Sequence, residues 1–336
     1  MILKGANAPF FILSSLIITE MHIYKTLLVL LLLTSCGGGS SNSDNQINTP
    51  ITQPPNSTNE TCTNTQVTDL KRCDLVHDSI ERFYYIYEPA NLDTNSSVPV
   101  LFALHGYGSS AMTHFNYTNY EPIADANNFI VVYPQGTTSN GLNTHWNNGG
   151  WTSKSTAKDI EFIDTVIDYL KEKISIDETR LYSSGMSNGG YMSYHLACNL
   201  DNTFAAVVSV TGSMTNDTYD NCYPSHPIAA MQIHGIQDTT VPYLGSGWSK
   251  SIEDVIDFWV AYNSCNNEPE RQIKYSNQMG LINFDTYKGC LNNVNVKLIL
   301  HPEMGHNWPY IQNYNIDASQ EIWDFVSQFN LYGLIN

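Results

Sequence analysis

Apolar residues in this chain fall into short blocks of two kinds. Residues 98–104 (Val-Pro-Val-Leu-Phe-Ala-Leu), 129–133 (Phe-Ile-Val-Val-Tyr), 204–210 (Phe-Ala-Ala-Val-Val-Ser-Val), 228–234 (Ile-Ala-Ala-Met-Gln-Ile-His) and 296–300 (Val-Lys-Leu-Ile-Leu) are nearly continuous apolar runs. Runs of this length suit strands buried on both faces. Residues 83–87 (Phe-Tyr-Tyr-Ile-Tyr) have β-rich composition and stop before Pro89, which predicts an early strand near a sheet edge. Residues 181–184 predict a further buried strand. Between these runs the spacing changes: Ile160, Ile163, Val166, Ile167 and Leu170 recur as on one face of a helix over 159–174, with Thr156 as its expected cap. Helices are also predicted over 252–261 and 319–329. Strands that alternate with helices predict a mainly parallel sheet covered on both faces, a single α/β domain over 61–336 without internal repeats. Only about fifteen residues join the strand ending at Val210 to the one starting at Ile228, too few for a large lid. An open cleft, suited to a bulky or polymeric substrate, is expected.

The N-terminal region reads differently. Met21 is followed by His22 and Lys25 and then by an apolar run over 27–33, too short to span a bilayer and sized like the core of a signal peptide. It ends in Leu33-Thr-Ser-Cys36, which resembles the bacterial lipobox, so residues 1–36 are expected to be a signal region whose Cys36 carries the lipid. An ordinary secretory peptide with an incidental cysteine is the alternative. A second apolar patch precedes Met21, which is therefore a candidate for the true start. Residues 37–60, rich in Gly, Ser, Asn, Thr and Pro, predict a flexible tether. This places the protein outside the cytoplasm, anchored to a bacterial membrane, the outer one expected, or secreted.

Charge and cysteine content narrow the picture. A formal charge of -17 over 336 residues repels polyanions and excludes nucleic acid as a partner. Of seven cysteines, Cys36 leaves six, which allow fifteen pairings; proximity in the sequence favours Cys62 with Cys73, Cys198 with Cys222 and Cys265 with Cys290. No Cys-x-x-Cys or His-x-x-x-His pattern supports a metal site.

The chemistry centres on Gly185-Met-Ser187-Asn-Gly189, a Gly-x-Ser-x-Gly string between the strand over 181–184 and an apolar helical pattern at Tyr191, Met192, Tyr194 and Leu196. That context predicts a nucleophile elbow: a turn so sharp that Gly185 and Gly189 must lack side chains, with Ser187 at its tip and a helix N-terminus beneath. A serine hydroxyl needs a base, and the base an orienting acid. Asp238 follows the strand ending at His234, and His306 follows the strand ending at Leu300, so Ser187, Asp238 and His306 occur in the order of an α/β-hydrolase triad. Active groups belong in the crevice at such strand ends. Ser187 is assigned as nucleophile, His306 as general base and acid, and Asp238 as the carboxylate fixing the imidazole tautomer. The backbone N–H groups of Asn188 and of Tyr107, in His105-Gly-Tyr-Gly108, are the expected oxyanion donors. His195, His234, His301, Asp217 and Asp285 are weaker candidates, read as packing or loop-forming residues. Trp146, Trp151, Tyr243, Trp248 and Trp308 lie on loops expected around this edge and are candidate substrate contacts.

Four ordered blocks now carry a resemblance. Gly185-Met-Ser-Asn-Gly-Gly-Tyr-Met with Leu196-Ala-Cys198, His234-Gly-Ile-Gln-Asp238 with Val-Pro-Tyr243, Phe258-Trp with Cys265, and Gly305-His-Asn-Trp-Pro309 resemble the polyhydroxybutyrate depolymerase and feruloyl esterase group of α/β hydrolases, which overlaps carbohydrate esterase family one. The resemblance runs from about Phe83 to the C-terminus. It implies a serine carboxylic ester hydrolase without metal or organic cofactor, and disulfides between Cys198 and Cys222 and between Cys265 and Cys290. Feruloyl or acetyl esters of plant polysaccharide are the expected substrates and a monomer the expected state. A polyester depolymerase is the alternative within the class; a surface lipoprotein that binds glycan with an idle triad is the alternative outside it.

Overall fold

The strands expected from continuous apolar runs stand side by side at the centre of one large sheet. The computed structural model describes residues 60–335 apart from positions 94 and 279, and these lie in one compact unit. The signal region with Cys36, and the 37–60 tether up to its last residue, fall outside the described residues. The sheet is built from β1 (Thr61–Asn64), β2 (Leu70–His77), β3 (Ile80–Tyr87), β4 (Val98–Leu104), β5 (Ile130–Pro134), β6 (Ile176–Met186), β7 (Ala206–Val210), β8 (Ala229–Gly235), β9 (Glu270–Tyr275), β10 (Leu281–Tyr287) and β11 (Val296–His301). Their order is β1-β2-β3-β5-β4-β6-β7-β8-β11-β10-β9. From β5 to β11 neighbouring strands run parallel. An antiparallel extension flanks each side, β1-β2-β3 on one and β10-β9 on the other.

Eight α-helices are described: α1 (Ala111–Thr118), α2 (Glu121–Asn127), α3 (Asp159–Lys173), α4 (Asn188–Asn199), α5 (Asn216–Asp220), α6 (Ile252–Tyr262), α7 (Ile311–Tyr314) and α8 (Ala318–Val326). Alternation along β4 explains the two layers. Val100, Phe102 and Leu104 face a core shared with Phe162 and Val166 of α3, Met192 of α4 and Trp259 of α6. Leu101 and Ala103 point the other way, into a core with Phe115 of α1, Ile123 of α2 and Trp323 of α8. Every residue of β4 is buried, each large apolar one contributing about 1.5–3 kcal/mol. The fold is therefore an α/β-hydrolase-type sheet with helices on both faces, as the alternating pattern predicts.

Several elements escaped the apolar pattern. Strands β1, β2, β9 and β10 lie in the antiparallel margins, and β9 is exposed at every position. β1 is exposed throughout as well, and β2 and β10 each bury only three residues among polar or half-buried ones, so none of the four carries a continuous apolar run. Helices α1 and α2 are too short to set up a clear period; Ser110 starts α1 by accepting the Thr113 N–H at 3.1 Å. Thr156 does not cap α3. The helix begins at Asp159 with no side-chain cap, and Asp159 and Glu161 supply negative charge at its positive end instead. The last helix stops at Val326, and Phe329 pairs in a separate two-residue strand.

The three cysteine pairs favoured by proximity are the disulfides formed: Cys62–Cys73, Cys198–Cys222 and Cys265–Cys290. Glu60, Cys62 and Cys73 cluster as metal ligands would, but the disulfide removes the thiolates that zinc requires.

Candidate active site

Strand β6 sits at the middle of the parallel region, and its C-terminal end carries Met186 and Ser187. Ser187 adopts φ 54°, ψ −119°, outside the regions that side-chain-bearing residues favour, and its N–H is held by Val210 O of β7 at 2.8 Å. The elbow closes only because its flanks are bare: a Cβ on Gly185 would lie 2.3 Å from the Gly189 carbonyl, and one on Gly189 would lie 2.0 Å from Leu104 O. Helix α4 starts at Asn188, so its N-terminal amides lie directly after Ser187.

Asp238 and His306 come from the loops after β8 and β11, which are parallel neighbours with Gly235 opposite His301. The loops are stitched together, Ile236 N–H donating to His301 O and Gln237 N–H to Met304 O, both at 3.0 Å. Gly235 is required at this crossing, since a Cβ there would lie 1.9 Å from Met304 O. His306 Nδ1–H donates to Asp238 Oδ2 at 2.8 Å, with the carboxylate fully buried and the imidazole 22% exposed. Asp238 Oδ1 accepts from the Thr240 and Val241 amides, both at 2.9 Å. The aspartate thus binds its own turn with one oxygen and orients His306 with the other. Burial alone would raise its pKa, but the His306 bond, the Val241 amide and the nearby imidazoles outweigh it and hold the carboxyl below its ordinary value.

With its proton on Nδ1, His306 presents Nε2 as a lone pair, and neither this nitrogen nor Ser187 Oγ bonds to a described residue. The strand ends bring all three loops to one sheet edge, and Met186 and His306 line one cavity of about 310 Å³ together with Tyr117, Trp308, Tyr310 and Tyr314. A larger cavity, of about 530 Å³, lies away from this edge beside Asn64–Leu70 and Glu88–Pro89 and holds none of these groups.

The amides of Asn188 and Tyr107 donate to no described residue, whereas the next amide, Gly108 N–H, reaches Thr144 O at 2.7 Å. His105 aims the Tyr107 amide: its Nδ1–H donates to Gly106 O at 2.8 Å, and because C=O and N–H of one peptide point oppositely, the Tyr107 N–H is turned the other way. Its Nε2 accepts from Gly136 N–H at 2.9 Å. Burial drives the His105 pKa down to about 4, partly offset by the Gly106 carbonyl, so the ring is neutral. His234 is likewise neutral at about 4, lowered by burial against the pull of Asp238. It accepts from Gln232 and donates to Val241 O at 3.0 Å, bracing the Asp238 loop. His301 accepts from Met304 N–H at 3.1 Å and shapes the turn before His306. His195 bonds Thr218 at 2.9 Å, away from this site.

The aromatic candidates separate into four settings. Trp151 and Trp248 pack with ring centres 4.5 Å apart against Tyr191, and Tyr107, 37% exposed, approaches Trp151 at 6.5 Å. Trp308 lines the cavity beside His306 and is buried, its Nε1 unpartnered among the described residues. Trp146 is fully buried and donates from Nε1 to His105 O at 2.9 Å, so it sits beneath the cleft instead of facing it. Tyr243 spends its hydroxyl on Glu253 at 3.0 Å. Sequence reasoning does not reach the roles of His105, Trp146 and the Asn188 side chain; the available pointer is the His-Gly pair directly after the apolar run 98–104.

A profile of the prolyl oligopeptidase family matches residues 113–240, a stretch that includes Ser187 and Asp238 but stops before His306. The chain is 28% identical over 256 residues to a bifunctional acetylxylan esterase/xylanase of Neocallimastix patriciarum, covering 76% of this chain and 34% of that one. It is 32% identical over 170 residues to a probable feruloyl esterase C of Aspergillus clavatus, covering 49% of this chain and 57% of the relative. The chain thus spans between a third and three-fifths of the length of these relatives. Among solved structures, the feruloyl esterase module from Clostridium thermocellum complexed with sinapinate superposes with a TM-score of 0.54 at 15% identity, covering 77% of this chain and 87% of that one. A ferulic acid esterase from Anaeromyces mucronatus in complex with ferulic acid gives 0.53 at 15% identity, covering 83% and 93%. At such identities the likeness speaks for the fold.

Proposed function

We propose that this chain, which has the α/β-hydrolase fold and is similar in sequence to feruloyl and acetylxylan esterases, is a serine carboxylic ester hydrolase acting on feruloyl or acetyl esters of plant polysaccharide. The observation that carries the reading is the His306–Asp238 bond of 2.8 Å at the sheet edge where Ser187 stands in its strained elbow. In this reading His306 Nε2 takes the proton of Ser187 Oγ as the oxygen attacks the ester carbonyl. The oxyanion that forms is held by the Tyr107 and Asn188 amides. His306 then returns the proton to the leaving alcohol, and water repeats the sequence on the acyl-enzyme. Asp238 keeps the imidazole in the needed tautomer without becoming protonated. No step calls for a metal or organic cofactor.

The catalytic domain is taken as 61–336, tethered through 37–60 to a lipid-bearing Cys36 outside the cytoplasm. Three disulfides among the described residues suit an oxidising compartment. The test is hydrolysis of methyl ferulate, acetylated xylan and polyhydroxybutyrate side by side, with Ser187→Ala as control. Serine-dependent release of ferulate or acetate is expected. Turnover of the polyester alone transfers the reading to a depolymerase, and failure on all three with folded protein overturns the ester-hydrolase assignment.

A further inference from the structure

We propose that Trp146 is a positioning residue that ties the two oxyanion donors to one another, with the Asn188 carboxamide as its partner. The inference rests on the ester-hydrolase reading and extends it to residues that touch no substrate.

The two donor amides belong to segments far apart in sequence. Tyr107 follows β4, and Asn188 opens α4 after β6. Trp146 bonds to both segments. Its indole Nε1–H donates to His105 O at 2.9 Å, which holds the loop leading to Tyr107. Its peptide groups take the Asn188 side chain as a two-point clamp: Trp146 N–H donates to Asn188 Oδ1 at 2.7 Å, and Asn188 Nδ2–H donates to Trp146 O at 3.1 Å. Asn148, two residues on, donates from Nδ2 to Asn188 O at 3.1 Å. Trp146, His105, Asn148 and Asn188 are all fully buried, so these bonds do not compete with water.

Side-chain carboxamides have no obligation to pair twice with one distant residue. Here the pairing fixes Asn188 about its own backbone, and the indole passes the same reference to the His105–Gly106 peptide. Trp146 thereby links the His105 segment, whose imidazole aims the Tyr107 N–H, to the segment that opens with the Asn188 N–H. Oxyanion stabilisation depends steeply on such alignment, because donors must meet the place where charge develops.

The test compares p-nitrophenyl acetate with p-nitrophenyl thionoacetate in wild-type protein and Trp146→Phe. Phenylalanine keeps an aromatic ring but deletes the Nε1–H. A thiono sulfur is a poor hydrogen-bond acceptor, so the oxyanion donors contribute little to its turnover. The variant should lose about tenfold in kcat on the oxoester, with KM unchanged and the thionoester rate within about twofold, a smaller effect than the hundredfold or more of deleting a donor outright. Equal losses on both substrates, which general structural damage produces, overturn the proposal, as does no loss on either. Should Trp146→Phe not fold, Asn188→Ala, which removes the clamp and keeps the backbone N–H, carries the same comparison with the same expected selectivity. Wild-type protein that turns over neither ester, or does so equally well as Ser187→Ala, overturns the ester-hydrolase reading itself. That outcome differs from a wild type that is active while the variants show no selective loss.

Discussion

Replacing Asp238 by Asn changes one atom and probes the whole arrangement. In the native site Oδ1 accepts two backbone amides at 2.9 Å each, and Oδ2 accepts His306 Nδ1–H at 2.8 Å. An asparagine keeps the first set by leaving its carbonyl oxygen on the Thr240 and Val241 amides. Its NH₂ then faces His306 Nδ1, two donors cannot share that contact, and the imidazole must move its proton to Nε2. In that tautomer Nε2, the nitrogen assigned to take the serine proton, already carries a hydrogen and cannot accept it. The expected loss in kcat is about ten-thousandfold, or about 5 kcal/mol of transition-state stabilisation, the scale of a wrong tautomer in a serine triad. KM should change little, because the substitution adds no bulk at the cleft. The variant should also remove stability linked to the carboxylate. Asp238 lies below its ordinary pKa when folded, so its contribution is present above the unfolded value and lost as pH falls through the folded one; thermal melts at pH 7 and pH 3 should differ less in the variant than in wild type. Steady-state hydrolysis of methyl ferulate measures the first effect. A variant within tenfold of wild type would refute the role given to Asp238.

Other expectations follow from the same geometry. His105 and His234 are held by burial at about 4, whereas the unfolded chain protonates near 6.5, so protons bind the unfolded state first and stability falls between pH 6.5 and 4 by up to about 3 kcal/mol per histidine; a melting temperature flat across that window contradicts their burial as neutral rings. Gly189→Ala should abolish turnover and cost about 1–3 kcal/mol, since its Cβ would lie 2.0 Å from Leu104 O, while Gly247→Ala, with nothing within 4 Å, should leave both unchanged. Differential scanning fluorimetry and ester turnover separate these two. On the proposed lipid anchor, Cys36→Ser should shift the protein from the membrane to the soluble fraction, because it removes the residue that would carry the acyl chains; retention on membranes removes the lipoprotein proposal.

The parts of this protein legible in its sequence are those where local composition and tertiary environment coincide. The central strands are buried on both faces, and burial on both faces leaves continuous apolar runs such as residues 98–104 and 228–234. The elbow was legible for a steric reason, because only glycine fits at 185 and 189, and the loops bearing Asp238 and His306 were legible because each follows such a strand. The margins were not: β9 is exposed throughout, and its Glu-Arg-Gln-Ile-Lys-Tyr sequence reflects solvent more than sheet. Nor could the sequence tell a fully buried tryptophan from a half-buried one, since Trp146 and Trp151 both stand in a glycine- and asparagine-rich loop. Burial and a hydrogen bond to His105, across 41 residues of chain, decide that Trp146 faces inward. Local pattern reports what each segment buries; which groups meet across the chain depends on strand order and loop crossings, and that belongs to tertiary structure alone.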